Sequence, residues 1–411
     1  MKGLREAVIV EAVRTPAGKS AWKEKKGAFC DTSAHLLIHA AITALVERVK
    51  EKCSRFDPVE IEDCAVGCHS QLGDQALIGR MAVLIAGLPE EVAGATVTRY
   101  GSDGLQAINS QAQAIMTGCG DIMIAAGLEH MSRYPLLAPL EAALKSGYPM
   151  SAHPNFERRG GYVMPGTAAE MIGERYNLHR EDMDRFSLWS HQKAVRAMRE
   201  EEWYKKRIVP VKVEVDGQPT RIVDKDETPR AIALDDPEAA WEQMQQLQPR
   251  FKEGGQVTAG NSSAIADGAA AIMLMSKKKA KELGLEPMVT IRAMAVAGGD
   301  PFTHFLAPIS AIKKALARAG LTMDDIEVWE CLEGFASAVL AYCKEFGVAY
   351  DDPRINPTGG SIAIGNPIGC SGALYFTEMV HWMVRHNLRW GLVSISGVHG
   401  VGTATIVERE R

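Results

Sequence analysis

The stretch Thr98-Arg99-Tyr100-Gly101-Ser102-Asp103-Gly104-Leu105-Gln106-Ala107 marks a junction between a strand and a helix. Upstream, Val92 to Val97 are small or β-branched residues that predict a covered strand, and downstream the apolar residues recur at helical spacing. Ser102 or Asp103 can cap the helix. The free N–H groups and positive dipole end of such a helix start can activate a thiol or hold an oxyanion. The junction suits a nucleophile, but Gly101 at its corner has no side chain.

Composition limits the class of protein. The chain has 411 residues, of which 46% are hydrophobic and 24% charged, which is enough for two or more packed units. A formal net charge of −5 gives no general attraction to nucleic acid or to an anionic membrane. The sequence has no run of about 20 apolar residues, and its start lacks the apolar core of a signal peptide. We therefore expect a cytoplasmic protein that binds neither nucleic acid nor membrane.

The eight cysteines show no metal-binding spacing. Cys64 and Cys68 lie close together with His69 adjacent, but a zinc site would need a second ligand pair that the sequence does not offer. We expect reduced, mostly structural thiols and no metal.

Strands of small residues followed by helices recur along the chain, which indicates an α/β protein with sheets covered by helices. Two segments resemble each other. Gly101 to Leu105 leads through a helix to a strand ending at Gly127, and Gly369 to Ala373 leads through a helix to a strand ending at Gly397. This similarity predicts two duplicated halves, each with its own sheet and a central helix.

The stretch from Glu129 to Arg250 differs in character, because charged helical segments at 170–176 and 180–202 are joined there by polar loops. We interpret this stretch as an insertion in the first half. The predicted domains are residues 1–128 together with 251–275, an inserted loop domain at 129–250, and a second half at 276–411.

The chain resembles the thiolase family over nearly its whole length. The resemblance is carried by motifs in the family's order: Ala12-Val13-Arg14-Thr15-Pro16, Arg99 with Gly104-Leu105-Gln106-Ala107, Gly127 to Ser132, Thr258 to Ser263, Asp267-Gly268-Ala269-Ala270, Asn356 with Gly359-Gly360, and Pro367 to Gly369 with Ser371-Gly372. It implies a thiolase-like α/β fold, in which two α/β/α halves share a five-layered core and the inserted loop domain binds coenzyme A.

The resemblance also implies chemistry on 3-oxoacyl thioesters of coenzyme A, with a nucleophilic cysteine, an activating histidine, a second cysteine and oxyanion donors. Four positions differ from that pattern. Gly101 stands in place of the acylated cysteine, Asn366 of the histidine, Leu332 of an asparagine that positions water, and Ser394 of the acid/base cysteine. A glycine cannot carry an acyl group, so the sequence does not predict the usual mechanism.

Other polar residues can replace the missing groups. The candidate catalytic residues are His399, His304, Glu333 and Asp103. A histidine beside a carboxylate suits general-base catalysis, although each histidine can equally be a structural hydrogen-bonding residue and Asp103 a helix cap. Backbone N–H groups around Gly101 and Gly397 are predicted to form an oxyanion hole.

Three residues are candidates for binding coenzyme A, which we expect as part of the substrate and not as a bound cofactor. Ser263 matches the serine that meets the pantetheine arm in the family. Ser190 belongs to a segment similar to the one near the adenine, and Arg230 to a basic set that could meet a phosphate or simply be a solvated surface.

Three functions remain open from the sequence. The first is an enzyme that breaks or forms a carbon–carbon bond in a 3-oxoacyl- or 3-hydroxyacyl-CoA without an acyl-cysteine, by hydrolysis or by aldol-type chemistry. The second is a non-catalytic subunit that binds coenzyme A and assists an active partner. The third is an ordinary acyltransferase that uses Cys370 or another thiol. The resemblance implies a homodimer or homotetramer, paired through the sheet edge of the first half, a role that the strand at Val92 to Val97 fits. A second kind of subunit in the assembly is left open.

Overall fold

The computed structural model describes residues 4–20, 27–147, 153–159, 161–215, 217 and 219–410. The remaining positions of the predicted domains lie outside the described residues. The strands are β1 Ala7–Arg14, β2 Gly18–Lys19, β3 Asp63–Gly67, β4 Ala93–Val97, β5 Ile122–His130, β6 Val211–Val213, β7 Arg221–Val223, β8 Ala266–Ser276, β9 Val289–Gly298, β10 Val328–Cys331, β11 Trp390–Gly397 and β12 Val401–Glu408.

The helices fall into two groups. Those of the two halves are α1 Ala34–Lys52, α2 Ile78–Ile85, α3 Asp103–Thr117, α11 Lys277–Leu283, α12 Ala307–Ala319, α13 Ala336–Phe346 and α14 Ile368–His386. Those between β5 and β8 are α4 Ala138–Lys145, α5 Pro154–Glu157, α6 Pro165–Arg175, α7 Arg180–Arg199, α8 Glu201–Arg207, α9 Ile232–Asp235 and α10 Pro237–Gln245.

The sheets of the two halves are joined edge to edge. In the described ranges the strand order is β10-β11-β12-β9-β1-β8-β5-β3-β4, with β2 beside β8. The junction between β1 and β9 is short, because only Val8 with Thr290 and Ile9 with Val289 are paired. The sequence predicted a separate sheet for each half, and the structure links the two through this contact. In the first half β3, β4 and β5 run parallel, as β10 and β11 do in the second.

The molecule has five layers, and three hydrophobic cores lie between them, the central core being in contact with both groups of strands. One lies between α1, α2 and the outer face of the first half's strands, where α1 buries residues such as Leu37, Ile38 and Leu45 at helical spacing. A second fills the space around α3 and α14, between the two groups of strands. The third packs α12 and α13 on the outer face of the second half. This arrangement confirms the predicted five-layered fold.

The two central helices cross where each has a glycine. A Cβ on Gly104 of α3 would lie 2.7 Å from the backbone nitrogen of Ala373, and a Cβ on Gly372 of α14 would overlap the backbone nitrogen of Leu105. The close crossing brings the starts of both helices to the same place in the molecule.

Two local predictions need correction. The segment at 92–97 was expected to be a covered strand, but β4 is the edge of the sheet and its Ala93 and Ala95 are exposed. The helix expected at 180–202 is two helices, because Glu200, with φ of −85° and ψ of 67°, leaves the helical conformation between them. β5 continues to His130, just past the predicted start of the insertion.

A buried ion cluster ties the insertion to both halves. Arg14 of β1 contacts Asp226 at 2.7 Å and Glu378 of α14 at 2.6 Å, and Arg207 of α8 contacts Glu378 at 2.7 Å. All four side chains are at most 1% exposed. The charges are compensated within the cluster, as buried charges must be. Across the described ranges, we find no helix with the length and apolar character needed to cross a membrane.

Candidate active site

A cavity of about 260 Å³ lies where strands of both halves end. The carboxyl ends of parallel strands meet at one edge of a sheet, which is the usual place for a site in an α/β protein. Most of its wall is apolar: Met131, Leu136, Met164, Pro165, Phe251, Ile265, Phe305, Leu332, Phe335, Ile368 and Val398. The residues with polar side chains are fewer: His69, Tyr100, Ser262, Ser263, Asn366 and Ser396.

The turn before α3 forms one side of the cavity. Gly101 lines it with a φ of +121°, a backbone conformation that favours glycine. A Cβ at this position would lie 3.1 Å from the carbonyl oxygen of Ser396. The turn therefore favours glycine through both its backbone conformation and its close packing.

The predicted oxyanion hole is wrong in the form expected. The Gly101 N–H donates to Oδ2 of Asp103 at 2.9 Å, and the Arg99 N–H donates to the other carboxylate oxygen. Gly397 does not line the cavity, and a Cβ built on it would lie 2.8 and 2.9 Å from the carbonyl oxygens of Arg99 and Tyr100. The buried carboxylate of Asp103 therefore accepts the hydrogen bond from the Gly101 N–H, which the sequence analysis had expected to be free to bind an oxyanion.

Asp103 lies behind the cavity wall and not in it. It begins α3 and is fully buried, while Ser102 before it donates its hydroxyl to the carbonyl of Ile395 at 3.0 Å. Burial raises the pKa of Asp103 to about 6, although the nearby His69 and the N–H groups of Arg99 and Gly101 oppose that rise. The structure makes Asp103 the residue that holds the turn in shape.

His69 is a cavity residue that the sequence analysis missed. It follows β3, and its backbone N–H donates to Glu129 at 2.9 Å. His69 lines the cavity, and its Nδ1 is buried without a hydrogen-bond partner among the described residues. The signal was a histidine just after a strand. Only the order of β3 and β4 in the sheet shows that this strand ends beside the Gly101 turn.

Asn366 and Ser263 form a polar part of the wall. The amide nitrogen of Asn366 lies 3.5 Å from Oγ of Ser263, and its oxygen accepts a hydrogen bond from Ser371 at 2.7 Å. Gly101, Asn366 and Leu332 were all predicted to lie at one site, and the cavity brings them together. Ser263 is placed where a ligand can reach it, and its contact with the pantetheine arm stays a prediction.

Ser394 is not at the cavity. It is buried in β11, where its Oγ accepts a hydrogen bond from Nε1 of Trp329 at 2.9 Å. Ser396 lines the cavity instead. Ser396 is nearer the end of β11 than the predicted Ser394, but its Oγ is buried too, as expected for residues two apart on a strand, whose side chains share a face.

The two predicted catalytic histidines lie outside the cavity wall, which their neighbours Phe305 and Val398 form. His304 is buried, and burial lowers its pKa to about 4. His399 packs edge-on against the rings of Phe156 and Tyr162, with centroids 5.4 and 5.2 Å away, and burial lowers its pKa too.

Glu333 and Ser190 contact each other and not a ligand site. Glu333 is fully buried and accepts hydrogen bonds from Ser190 and Asn356, both at 2.7 Å, and from the Ile362 N–H at 3.1 Å. Burial raises the pKa of Glu333. Ser190 is buried and also accepts from the Gly360 N–H at 3.1 Å. Ser190 is therefore not placed to bind coenzyme A, and Glu333 acts as a structural group.

Arg230 lines a groove that adjoins the cavity. This groove, of about 390 Å³, shares Ser262 and Ile265 with the cavity and also contains Lys19. Arg230 is exposed there. Burial of the neighbouring His191 imidazole, together with the charge of Arg230, lowers the pKa of His191 to about 4. A cationic groove beside an apolar cavity leaves Arg230 as a candidate for a phosphate.

No cysteine lines the cavity or the groove, although all eight are within the described part of the chain. Cys370, the alternative nucleophile, is fully buried, and burial raises its pKa. Burial raises the pKa of Cys343 to about 12 as well. In the described ranges we also find no group of three histidine, cysteine, aspartate or glutamate residues that could hold a metal ion.

Two α/β/α halves in five layers, with a cavity at the starts of their central helices, define a thiolase-like protein. Residues 7–278 match the family model "Thiolase, N-terminal domain" and residues 285–409 match "Thiolase, C-terminal domain". The chain belongs to the thiolase family.

Relatives match the chain over its whole length. A protein of Idiomarina loihiensis named 3-ketoacyl-CoA thiolase is 38% identical, over 99% of this chain and all of the relative. One of Aliivibrio fischeri with the same name is 37% identical, again over 99% and 100%. The crystal structure of the Bacillus anthracis acetyl-CoA acetyltransferase superposes with a TM-score of 0.86 at 31% identity, covering 99% of this chain and 100% of that one.

Proposed function

We propose that the protein acts on coenzyme A thioesters and breaks or forms the C2–C3 bond of a 3-oxoacyl or 3-hydroxyacyl chain without a covalent acyl-cysteine. One observation carries this proposal. The cavity at the start of α3 has Gly101 at its corner and no cysteine in its wall, although the family's fold surrounds it. The relatives named 3-ketoacyl-CoA thiolase support the substrate class.

The shape of the cavity and the charge of the adjoining groove suit an acyl thioester of coenzyme A. The apolar wall with Phe251, Phe305 and Phe335 can enclose the acyl chain, because burying apolar surface stabilises binding. Ser263, at the wall, can meet the pantetheine arm, and Arg230, in the adjoining groove, can meet a phosphate.

The chemistry balances without a nucleophilic thiol. With a 3-oxoacyl-CoA, water adds to C3, the C2–C3 bond breaks, and its electron pair goes to C2 as a thioester enolate. A proton from the water ends on C2, so the products are a carboxylic acid and a shorter acyl-CoA. With a 3-hydroxyacyl-CoA, the hydroxyl proton leaves oxygen and ends on C2, and the products are a carbonyl compound and a shorter acyl-CoA.

The test uses the purified full chain with 3-oxoacyl- and 3-hydroxyacyl-CoAs of several chain lengths, in the absence of free coenzyme A. We expect a shorter acyl-CoA to form with a carboxylic acid or a carbonyl compound, and mass spectrometry of the protein to show no acyl adduct. In water enriched in ¹⁸O, the hydrolytic route places the label in the acid. An acylated cysteine peptide would contradict the proposal.

Thiolysis by free coenzyme A is a second candidate, because the named relatives are called thiolases. It predicts that cleavage requires free coenzyme A and yields two acyl-CoAs. A third outcome, in which the protein binds coenzyme A but turns over no substrate in either assay, would favour the non-catalytic subunit.

We also propose a homodimer or homotetramer. The support is that β4 ends the sheet with one side unpaired in the described part of the chain, and a free strand edge is a template for pairing. Light scattering coupled to size-exclusion chromatography should give a mass of two or four chains. A single-chain mass would contradict this proposal.

A further inference from the structure

We propose that His69 is the acid/base residue of the site: it takes the proton from the oxygen at C3 and returns it to C2. This inference rests on the proposed function and names the residue that carries it out.

The topology places His69 beside the vacant corner. β3 pairs in parallel with β4, and Gly67 at the end of β3 packs directly on the start of α3, at Asp103 and Gly104. His69 and Gly101 therefore line the same cavity from adjacent loops. A proton acceptor in this position faces a ligand bound over the glycine corner.

The imidazole is free to react. Within the described ranges neither ring nitrogen of His69 forms a hydrogen bond, and Nδ1 is buried. In the described part of the chain, one ring nitrogen each of His130, His304 and His399 is also buried without a partner, but these residues do not line the cavity, whereas His69 does. His381, by contrast, places Nε2 2.8 Å from the carbonyl oxygen of Ala12. A buried ring nitrogen without a partner costs free energy, and a bound ligand or water can supply the partner.

The backbone around His69 is held firmly while its ring is left open. The carboxylate of Glu129 accepts hydrogen bonds from the N–H groups of His69 at 2.9 Å, Ser70 at 3.2 Å and Gly369 at 3.0 Å, and from the Gln75 side chain at 3.0 Å. The start of α14 is thereby fixed to the loop that carries the histidine. A catalytic group needs this kind of fixed backbone.

Two carboxyl groups lie near His69. Asp103 lies near enough that His69 and Asp103 interact electrostatically. Glu129 contacts the His69 backbone. Both carboxylates are already bound by N–H groups, so neither forms a hydrogen bond with the ring.

The step conserves atoms and electrons. The imidazole accepts a proton from water or from the 3-hydroxyl as the bond at C3 forms or the carbonyl develops. The C2–C3 bond breaks, and its electron pair goes to C2. The imidazolium then gives the same proton to C2, so His69 returns to its starting state.

The experiment compares His69→Gln and His69→Ala with the wild type on whichever thioester the wild type cleaves. General acid–base catalysis contributes about 10²- to 10⁴-fold, so we expect kcat to fall at least about 100-fold while KM changes less than about threefold. Imidazole added to His69→Ala should restore part of kcat. Deuterium exchange at C2 of the shorter acyl-CoA in D₂O should fall by a similar factor, because that exchange needs the same base.

His179→Gln is the matched control, because His179 is exposed before α7 and lines neither the cavity nor the groove. It should keep wild-type kcat and exchange. If wild type turns over substrate and His69→Gln retains kcat within about threefold, the assignment of His69 is wrong and the proposed function stands. If the wild type neither cleaves substrate nor exchanges C2 protons, both proposals fail. Imidazole rescue shows that the Ala variant is folded.

Discussion

The two halves begin their central helices with similar glycine turns, but the structure uses these turns differently. Gly101 before α3 lines the cavity with a φ of +121°. Gly369 in α14 is buried, and its N–H donates to Glu129 at 3.0 Å. A Cβ on Gly369 would lie 2.6 Å from that carboxylate. Both turns reach the cavity, but Gly101 itself lines it, whereas Gly369 is packed between the halves and only its neighbours Asn366 and Ile368 line the wall.

The two helices that follow these turns, α3 and α14, pack on each other in a symmetric way. Gly104 packs on Ala373, and Gly372 packs on Leu105, so each half contributes a glycine to the same crossing. The crossing is therefore set by the duplicated fold, whereas the turns diverged with the role of each half.

The largest effect is expected at the ion cluster of α14, which α3 lacks. Glu378→Gln should lower the free energy of unfolding by about 3–5 kcal/mol, because it leaves Arg14 and Arg207 buried without their shared carboxylate. Ser110 lies as far beyond Gly101 as Glu378 lies beyond Gly369. Ser110→Ala should change stability by less than about 0.5 kcal/mol. Urea unfolding measures both.

The same cluster gives a pH dependence. Burial alone would raise the pKa of Glu378, but Arg207 and Arg14 outweigh it and lower the pKa from 4.5 to about 2. The folded state therefore binds this proton less readily than the unfolded chain does, and the stabilisation is lost as pH falls from 4.5 towards about 2. The stability gap between wild type and Glu378→Gln should narrow over that range. A constant gap would contradict the pairing.

The next effect tests the symmetric crossing. Gly372→Ala should lower the free energy of unfolding by about 2–3 kcal/mol, because the new methyl group overlaps the Leu105 backbone. Gly104→Ala meets Ala373 at 2.7 Å and should cost less, about 1–2 kcal/mol. Gly173→Ala, in α6, is the control. Its methyl group would be 3.9 Å from Met183, so Gly173→Ala should raise the free energy of unfolding by about 0.5–1 kcal/mol.

Gly101→Cys tests whether the corner can be refilled. The positive φ and the 3.1 Å approach to Ser396 should lower stability by about 1–3 kcal/mol. We expect the new thiol to react with iodoacetamide without creating coenzyme A-dependent thiolysis, because the resemblance places Asn366 at the position of the family's activating histidine. Gly87→Cys, exposed at φ +68° with open space around it, separates backbone strain from effects of the cavity. Gain of thiolysis in Gly101→Cys alone would overturn this expectation.

The smallest effects distinguish the two serines of β11. Ser394→Ala leaves the Trp329 N–H without its buried acceptor and should cost about 1–3 kcal/mol in stability, with little change in kcat. Ser396→Ala should change stability by less than about 0.5 kcal/mol, since its buried Oγ has no hydrogen-bond partner of good geometry among the described residues. Its kcat/KM should stay within about threefold of the wild-type value, because the buried Oγ is not exposed to a ligand. Equal losses of stability in both variants would contradict this division.

Much of the fold was predictable from the sequence, because the strands, helices and turns depend on local patterns of residues. Small-residue strands, helical spacing of apolar residues and a repeated glycine turn together indicated two duplicated α/β halves. The family resemblance had placed the strand at 92–97 at a sheet edge, but its residues alone did not show this, because Ala93 and Ala95 are as small as residues in a covered strand. Burial there depends on which strand becomes the neighbour, and that is decided by the order of the whole sheet.

The site was predictable only in part. Gly101, Asn366, Leu332 and Ser263 do line one cavity. The histidines at 304 and 399 do not, since Phe305 and Val398 occupy the wall and the rings pack behind it. Sequence motifs place a segment near a site, but the direction of each side chain depends on packing against other segments.

The sequence by itself determined the strand, turn and helix around Gly101, the duplication and the thiolase family, because these depend on neighbouring residues and their order. Only the tertiary structure decided that Asp103 occupies the Gly101 N–H, that Ser396 and not Ser394 reaches the cavity, and that His69 faces the empty corner. Each of these depends on the register or order of strands far apart in the chain, which local propensity does not specify.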